Sequence, residues 1–301
     1  MRSLLPALLT AALMGGAPAR AADAPDPLAG IGADADSPAQ RVLSYGERLL
    51  GVPYVADPFG EGPQGEYDRN PLSRFDAFDC TTFVEAVTAL ALSDSGAEFQ
   101  TTLNRIRYKD GEISFTTRNH FTDLDWIPNN VRAGFFRDIT DALAPGRTLV
   151  ARALIDKPAW YAKLPLSRIQ VPGLSEADRE KLLDRLHAEG RNFTPQEATV
   201  PYIPLTALFG PDGDALFERI PSGSVVNIVR PDWDLVAQIG THLNISHQGF
   251  AVRQNGVLYF LEASEIYGKV SMVPLDDYLR AYLDSPTIKG INVLALVGPH
   301  P

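Results

Sequence analysis

The spacing of apolar residues changes along the chain from a helical period to a strand period. In the first half, apolar positions recur every three or four residues in 41–50, from 80 to a break at 93–96, and near 98–107, which predicts amphipathic helices. The last third alternates instead, and the predicted strands are 224–229, 246–254, 257–263, 269–273 and 291–297. Helices followed by strands predict an α+β fold, with N-terminal helices packed on a C-terminal antiparallel sheet.

One hairpin in this sheet has a predictable register. Asn255-Gly256 stands between two alternating runs and is the strongest short hairpin signal. If these two residues form the loop, Gly249 lies opposite Glu262, and His247 lies on the same face of its strand as Gly249. Glu262 is then a diagonal neighbour of His247, with only a glycine between them.

Two segments interrupt this pattern. Residues 56–77 are dense in Pro, Gly and Asp, which predicts a loop that leads to residue 79. Residues 141–218 are predicted to be an inserted helical or irregular region. The clearest element there is a helix that begins after the N-cap Ser175 and ends at Gly190.

The N-terminus has the pattern of a secretory signal peptide over residues 1–21. Arg2 supplies the charge, residues 4–14 form the apolar run, and a small-x-small cleavage site ends the segment. Residues 22–40 are predicted to be a disordered leader, which leaves 41–301 as a single domain. No cysteine lies near the cleavage site, so we expect an exported, periplasmic protein without a lipid anchor.

Composition excludes some classes of function. The 301 residues are 45% hydrophobic and 21% charged, as in soluble globular proteins. Removing the signal peptide takes away two arginines and no acid, so the formal charge changes from −10 to −12. An acidic protein is a poor partner for nucleic acid or anionic membranes. The single cysteine cannot form an intrachain disulfide, and a lone thiol in an oxidising compartment favours a chemical use.

That cysteine, Cys80, stands at the predicted start of a helix. Asp79 is a good N-cap and places Cys80 in the first turn. Unpaired backbone N–H groups and the positive end of the helix dipole favour a thiolate there. A lone cysteine is otherwise commonly packed as a small buried hydrophobe, so its partners decide between the two interpretations.

A thiol nucleophile needs a base within hydrogen-bond reach. The chain offers five histidines: His120, His187, His242, His247 and His300. His300 is terminal, and His187 falls in the last turn of the 175–190 helix, where a cation suits the helix dipole. His247 lies on a small-residue face of the hairpin, with room to meet a helix N-terminus. The pattern therefore predicts Cys80, His247 and Glu262 as nucleophile, base and orienting group.

Residues 118–130 combine cationic, aromatic and amide side chains with weak periodicity. This composition suits a loop that lines a site better than a core element. A metal hydrolase built on His120, Asp123 and Asp125 is an alternative, although such spacing in a loop is weak and common. We expect no metal and no cofactor.

Several motifs, taken in order, resemble those of the NlpC-type, papain-like cell-wall hydrolases. They are residues 51–54 (GVPY), 78–84 (FDCTTFV), 247–250 (HQGF) and 262–264 (EAS). Within that superfamily, residues 79–85, 118–121 and Trp126 resemble the N-acetylmuramoyl-L-alanine amidase-like branch, long labelled a domain of unknown function.

The resemblance implies a papain-like cysteine hydrolase fold with Cys80 as nucleophile and His247 as base. The third position usually holds His or another polar residue, and here the matching position is Glu262. Tyr54 would line the site beside the thiol, and residues 118–126 would form part of the substrate wall. The residues predicted to contact substrate are Tyr54, Asp79, Arg118, Asn119, His120 and Trp126.

The expected activity is amide hydrolysis in peptidoglycan or muropeptides. The branch implies the bond between the lactyl group of N-acetylmuramic acid and L-Ala, whereas the commoner superfamily activity cuts the stem peptide after D-Glu. A catalytically silent module that binds wall fragments in the same cleft is the alternative from another class. The sequence leaves the oligomeric state open.

Overall fold

One antiparallel sheet organises the computed structural model, which describes residue 28 and residues 37–298. The strands found among the described residues are β1 (Phe136–Asp138), β2 (Leu149–Ile155), β3 (Gln196–Pro204), β4 (Ser224–Leu235), β5 (Thr241–Gln254), β6 (Val257–Ser264), β7 (Lys269–Pro274) and β8 (Gly290–Leu296). Their spatial order is β2-β3-β8-β4-β5-β6-β7, and β1 pairs with β8 beside this path.

Helices cover the sheet. The α-helices of the described residues are α1 (Pro38–Arg48), α2 (Cys80–Ala91), α3 (Gly96–Arg107), α4 (Ile127–Arg132), α5 (Thr140–Leu143), α6 (Lys157–Ala162), α7 (Glu176–Gly190), α8 (Leu205–Leu208), α9 (Gly213–Arg219), α10 (Val236–Ile239) and α11 (Leu275–Arg280). Two 3₁₀ turns, Lys109–Gly111 and Leu166–Arg168, and one π-helical turn, Thr122–Trp126, connect them.

Two apolar clusters lie on opposite faces of the central strands. Phe250 and Val252 of β5 belong to the cluster formed with α1, α2 and α3. Ala251 and Phe260 belong to the cluster formed with α8, α9 and α11. Within the first cluster Phe83 of α2 packs edge-on against Phe250, with 6.2 Å between ring centroids. The helix that begins at the cysteine is thus held against the sheet along most of its length, since nearly all its residues are buried.

The structure confirms the α+β architecture and the hairpin register. Gln254 pairs with Val257, and the loop residues Asn255 and Gly256 have φ angles of 50° and 84°. This left-handed backbone is what a two-residue turn of this kind requires. The helices predicted near 41–50, 80–92, 98–107 and 175–190 are present as α1, α2, α3 and α7.

The region 141–218 was predicted to be helical or irregular, and that prediction is wrong in part. It contains β2 and β3, which pair with each other and join the sheet through β8. The alternation of β2 is hidden in the sequence because apolar side chains also occupy its outer face. Val150 and Leu154 lie on this face and are exposed, and Leu149 at the start of the strand is exposed as well.

Two further boundaries differ from the predictions. Helix α1 begins at Pro38, inside the predicted leader 22–40, because Ser37 caps it by accepting a hydrogen bond from the Gln40 backbone N–H at 3.3 Å. Residues 118–130 were predicted to form a loop, but most of them form the π turn and α4. The predicted signal peptide, most of the leader and His300 lie outside the described residues. No described helix is long and apolar enough to cross a membrane.

Candidate active site

The first turn of α2 places the thiol. The Asp79 carboxylate accepts a hydrogen bond from the Thr82 backbone N–H at 2.7 Å, and the Asp79 N–H donates to Thr82 Oγ1 at 3.0 Å. This reciprocal cap fixes the start of the helix and makes Cys80 its first residue, partly exposed and unpaired. Asp79 also accepts from the Asp57 backbone N–H at 3.0 Å, so its carboxylate is engaged by the chain itself.

His247 and Glu262 meet just beyond the last paired row of the β5–β6 ladder, Phe250 opposite Leu261. His247 Nε2 is hydrogen-bonded to Glu262 Oε2. Glu262 is only 1% exposed, whereas part of the His247 side chain reaches the surface. The predicted diagonal contact between these two side chains is therefore present.

The charge state of His247 follows from its neighbours. Burial lowers the pKa of His247, but the charge and hydrogen bond of Cys80, together with the hydrogen bond and charge of Glu262, raise this pKa to about 10. The imidazole is then protonated at neutral pH between the thiol and the carboxylate. Because Nε2 is occupied by Glu262, Nδ1 is the nitrogen left for Cys80. This arrangement suits a thiolate–imidazolium nucleophile.

Tyr54 lies near the thiol. The Tyr54 backbone N–H donates a hydrogen bond to Gly268 O at 2.9 Å, and Tyr54 forms an isolated parallel β-bridge with Phe78. Burial, followed by the charges of Cys80 and Asp79, raises the pKa of Tyr54, so its hydroxyl stays protonated. Tyr54 is thus close enough to Cys80 for the charges of the two side chains to interact, and its role at the site stays a prediction.

Sequence reasoning missed two residues near this centre. Gln248 Nε2 donates to Thr81 Oγ1 at 3.1 Å and ties β5 to the first turn of α2. Tyr278 of α11 packs on Phe260, with 4.8 Å between ring centroids, and burial together with the charge of Glu262 raises its pKa. Gln248 could have been noticed as the neighbour of His247, but nothing local in the sequence singles out Tyr278.

The segment predicted as a substrate wall lies largely in the interior. Trp126 has no exposed surface and donates from Nε1 to Glu85 Oε1 at 3.2 Å. Asn119 Nδ2 donates to Ile106 O at 3.0 Å, and Arg118 bonds to two carboxylates of the 61–68 loop. Buried side chains cannot form an open wall in this structure, so Arg118, Asn119 and Trp126 act here as scaffold.

His120 is also held by the interior. Its Nε2 donates to Phe115 O at 2.7 Å, and its ring lies against Phe115 and Trp160. Burial, followed by the charge of Arg118, holds the pKa of His120 well below its usual value, so the ring is neutral. Its contacts are with this aromatic cluster and not with Cys80.

The three residues of the alternative metal site, His120, Asp123 and Asp125, each bond to a different partner. Asp123 accepts from the Asn244 side chain at 2.9 Å, and Asp125 pairs with Lys157 at 2.6 Å. Together with the His120 bond to a carbonyl, these contacts leave no shared centre among the three. Across residues 37–298, no group of three or more His, Cys, Asp or Glu side chains is arranged to hold a metal.

The other described histidines, His242 and His187, contact groups other than Cys80. His242 Nδ1 lies 2.8 Å from Asp232, at the far end of the β4–β5 pair. His187 bonds to Leu164 O at 3.1 Å and is partly buried, not a free surface residue. Of the described histidines, His247 is therefore the one placed at the cysteine.

Comparison with known proteins places these features in a family. The family model described as AmiA-like, N-acetylmuramoyl-L-alanine amidase-like, matches residues 44–287. This range includes α2, the β5–β6 hairpin and the candidate site residues Tyr54, Cys80, His247 and Glu262. The chain matches no protein of curated function.

Three solved structures are similar over most of their length. Protein LPG0564 of Legionella pneumophila, of family DUF1460, is 42% identical, with 88% of this chain and 91% of that one covered at a TM-score of 0.84. An N-acetylmuramoyl-L-alanine amidase from Bacteroides uniformis is 29% identical over 86% and 99% of the two chains, at a TM-score of 0.61. A Bacteroides fragilis protein proposed to be a xylanase is 27% identical over 84% and 100%, at a TM-score of 0.59.

Proposed function

Because this chain belongs to the N-acetylmuramoyl-L-alanine amidase-like family, we propose that it is an exported, periplasmic cysteine amidohydrolase acting on peptidoglycan or muropeptides. The bond we assign is the amide between the lactyl group of N-acetylmuramic acid and L-Ala. The name of the Bacteroides uniformis neighbour supports this substrate class. The observation that carries the proposal is Cys80 in the first turn of α2, beside an imidazole that is hydrogen-bonded to the buried Glu262 carboxylate.

In the first half of the reaction, the Cys80 thiolate attacks the carbonyl carbon of the scissile amide. The backbone N–H groups of Cys80 and Thr81, at the start of α2, have no partner within the helix and would donate to the developing oxyanion. The His247 imidazolium gives its proton to the leaving nitrogen, the C–N bond breaks, and a thioester with Cys80 remains.

In the second half, neutral His247 takes a proton from water, and the resulting hydroxide attacks the thioester carbonyl. The C–S bond breaks, the lactyl group leaves as a carboxylic acid that loses its proton to the released amine in solution, and the thiolate–imidazolium pair forms again. Glu262 orients the ring through Nε2 and stabilises its positive charge in both halves. No step requires a cofactor.

The test is to digest a defined muropeptide and identify the new amino terminus by mass spectrometry. Cleavage of the assigned bond gives a free peptide that begins with L-Ala and is absent when Cys80→Ala is used. A product that begins with the third stem residue would instead support an endopeptidase that cuts after D-Glu.

Two further results would overturn the cysteine mechanism. Activity abolished by a chelator and untouched by alkylation of the thiol would favour a metal hydrolase. Fragment binding that is equal in wild type and Cys80→Ala, with no product from either, would favour a silent binding module.

A further inference from the structure

Arg230 is a half-buried arginine near the candidate active site, and it forms no ion pair with any Asp or Glu of the described residues. It lies on β4 two residues beyond Ile228, whose partner on β5 is His247. The nearest acids along the chain, Asp232 and Asp234, lie against His242 instead. A partly desolvated guanidinium is thus left without a counter-charge.

The guanidinium is held in one orientation before any ligand binds. Its Nε and Nη2 both donate to Thr287 Oγ1, at 3.0 and 2.7 Å, and its Cζ lies 3.6 Å from the centre of the Trp233 ring. Within residues 37–298, Nη1 donates no hydrogen bond, and it is not among the buried unpaired atoms. One edge of the group is therefore fixed, and the edge formed by Nη1 and the second Nη2 hydrogen stays available.

A row of aromatic rings connects His247 with the surroundings of Arg230. The His247 ring lies 5.8 Å from Phe260, and Phe260 lies 4.8 Å from Tyr278, measured between centroids. Tyr278 in turn packs edge-on against Tyr282 at 5.4 Å. Burial raises the pKa of Tyr282 and the charge of Arg230 opposes this rise, so these two side chains are close. Arg230 therefore lies at the edge of the candidate site.

The electrostatics of Arg230 agree with a missing anion. Burial lowers the pKa of this guanidinium, and Tyr282 is the group that opposes the effect. A carboxylate would do so far more strongly, because an opposite charge nearby favours the ionised form. The chain has 37 acidic residues, yet none of those described fills this role.

We infer that Arg230 binds the free α-carboxylate of D-Glu, the second residue of the stem peptide; this inference rests on the proposed function. In a muropeptide cut between the lactyl group and L-Ala, this is the first free carboxylate after the scissile bond. Two extended residues span roughly 7 Å, and two residues of β4 separate Arg230 from the row of His247 by about the same length. A carboxylate can accept two parallel N–H bonds from the available edge of the guanidinium.

This contact makes Arg230 a specificity-determining residue. A carboxamide at the same position has one acceptor oxygen, and its NH₂ group would meet the guanidinium donor to donor. Stems with a free α-carboxylate are therefore selected over stems that are amidated there.

The test compares two substrates with the same scissile bond, MurNAc-L-Ala-γ-D-Glu-L-Lys and its derivative with an α-carboxamide on D-Glu. Wild type should turn over the carboxylate form with a kcat/KM about 10- to 100-fold higher, as expected for one hydrogen bond to a charged group. A general defect of the site would lower both values equally, so the ratio reports on this contact alone.

Three variants assign that ratio to Arg230. Arg230→Gln should lower kcat/KM for the carboxylate form to about the value for the amidated form, which itself stays close to wild type. Arg230→Lys keeps a charge but loses the planar fork, so it should give an intermediate ratio, and it carries the test if Arg230→Gln does not fold. The matched control is Arg152→Gln, which removes an exposed arginine of β2 and should keep the wild-type ratio.

A binding measurement separates this inference from the proposed function. The free tripeptide L-Ala-γ-D-Glu-L-Lys and its α-carboxamide are titrated into the full chain carrying Cys80→Ala by calorimetry. Tighter binding of the carboxylate form, lost on adding Arg230→Gln, would support the carboxylate site even if wild type cleaves neither substrate, a result that would overturn the proposed function alone. The inference is overturned if neither turnover nor binding distinguishes the two forms, or if the preference survives in Arg230→Gln.

Discussion

Helix α2 contributes to two buried charged groups that differ in how completely they are paired. The first is the group that we propose to be catalytic, Cys80, His247 and Glu262, called the catalytic group. The second, which we call the interior pair, is Glu85 with Arg107. In the interior pair, Arg107 donates to Glu85 Oε2 at 2.7 Å and to Phe59 O at 2.9 Å, while Trp126 occupies the other Glu85 oxygen.

The carboxylate of the catalytic group accepts fewer hydrogen bonds than the carboxylate of the interior pair. Glu262 uses one oxygen for His247, and its Oε1 accepts no hydrogen bond. Cys80 and part of His247 remain accessible, whereas the interior pair is sealed. A sealed ion pair whose carboxylate is fully bonded gives rigidity, and a partly exposed one can exchange protons with a substrate. Substitutions in the catalytic group should therefore change activity, and substitutions in the interior pair should change stability.

The largest expected effect is on the thiol itself. Cys80→Ala should lower kcat/KM by about 10⁵-fold or more, because the nucleophile is lost while the rest of the site remains. The urea unfolding midpoint should stay close to that of wild type. Residual turnover within tenfold of wild type would remove Cys80 from the mechanism.

Breaking the interior pair should affect stability instead. Arg107→Met leaves the Glu85 charge buried without its partner and should lower the free energy of unfolding by about 3–5 kcal/mol. Urea denaturation measures this loss, and kcat of the folded fraction should stay near wild type. The double variant with Glu85→Leu should recover most of the stability, since no unpaired charge remains. A large loss of kcat at unchanged stability would contradict the distinction between the two groups.

Neutralising Glu262 should give a smaller effect that depends on pH. Glu262→Gln should lower kcat/KM by about 10²-fold, the low end of what a general acid contributes. Wild-type activity should fall as the pH rises through about 10, where His247 loses its proton. Without the carboxylate charge the pKa of His247 is lower, so in the variant the fall begins at lower pH.

The matched control for that profile is Glu265→Gln, which removes an exposed carboxylate three residues further along the chain. It should keep the alkaline limb of wild type. The same alkaline limb in Glu262→Gln and wild type would show that Glu262 does not set the charge of His247.

The smallest expected effect concerns the cap of α3, the helix that carries Arg107. Ser95 Oγ accepts a hydrogen bond from the Glu98 backbone N–H at 3.2 Å. Ser95→Ala should lower the free energy of unfolding by about 1 kcal/mol with unchanged kcat, and Ser95→Asp should restore it. A cap variant that changed kcat would mean that α3 communicates with the catalytic group.

The sequence was most informative where local rules determine long-range geometry. The Asn255-Gly256 turn defines the hairpin register, and that register alone brings His247 next to Glu262. Likewise, the Asp79 cap sets the start of α2 and so the position of Cys80. These relations depend on turn and cap chemistry, which a few adjacent residues specify.

The burial of the 118–126 segment could not be predicted in the same way. Arg118 is enclosed because a loop from far earlier in the chain brings Glu61 and Asp68 against it. A cationic and aromatic composition looks the same whether it faces a substrate or an internal carboxylate. Strand β2 was missed for a related reason, since apolar side chains on its exposed face remove the alternation that marks a strand.

The solitary, partly exposed Cys80 has a practical consequence. With one sulfhydryl in the whole sequence, a fluorescent electrophile can attach at only one position. The label fraction would count competent molecules in a preparation directly, and the dye would report occupancy of the cleft through its emission. Labelling of Cys80, the residue proposed to attack the amide bond, would thereby measure the fraction of active enzyme in a preparation.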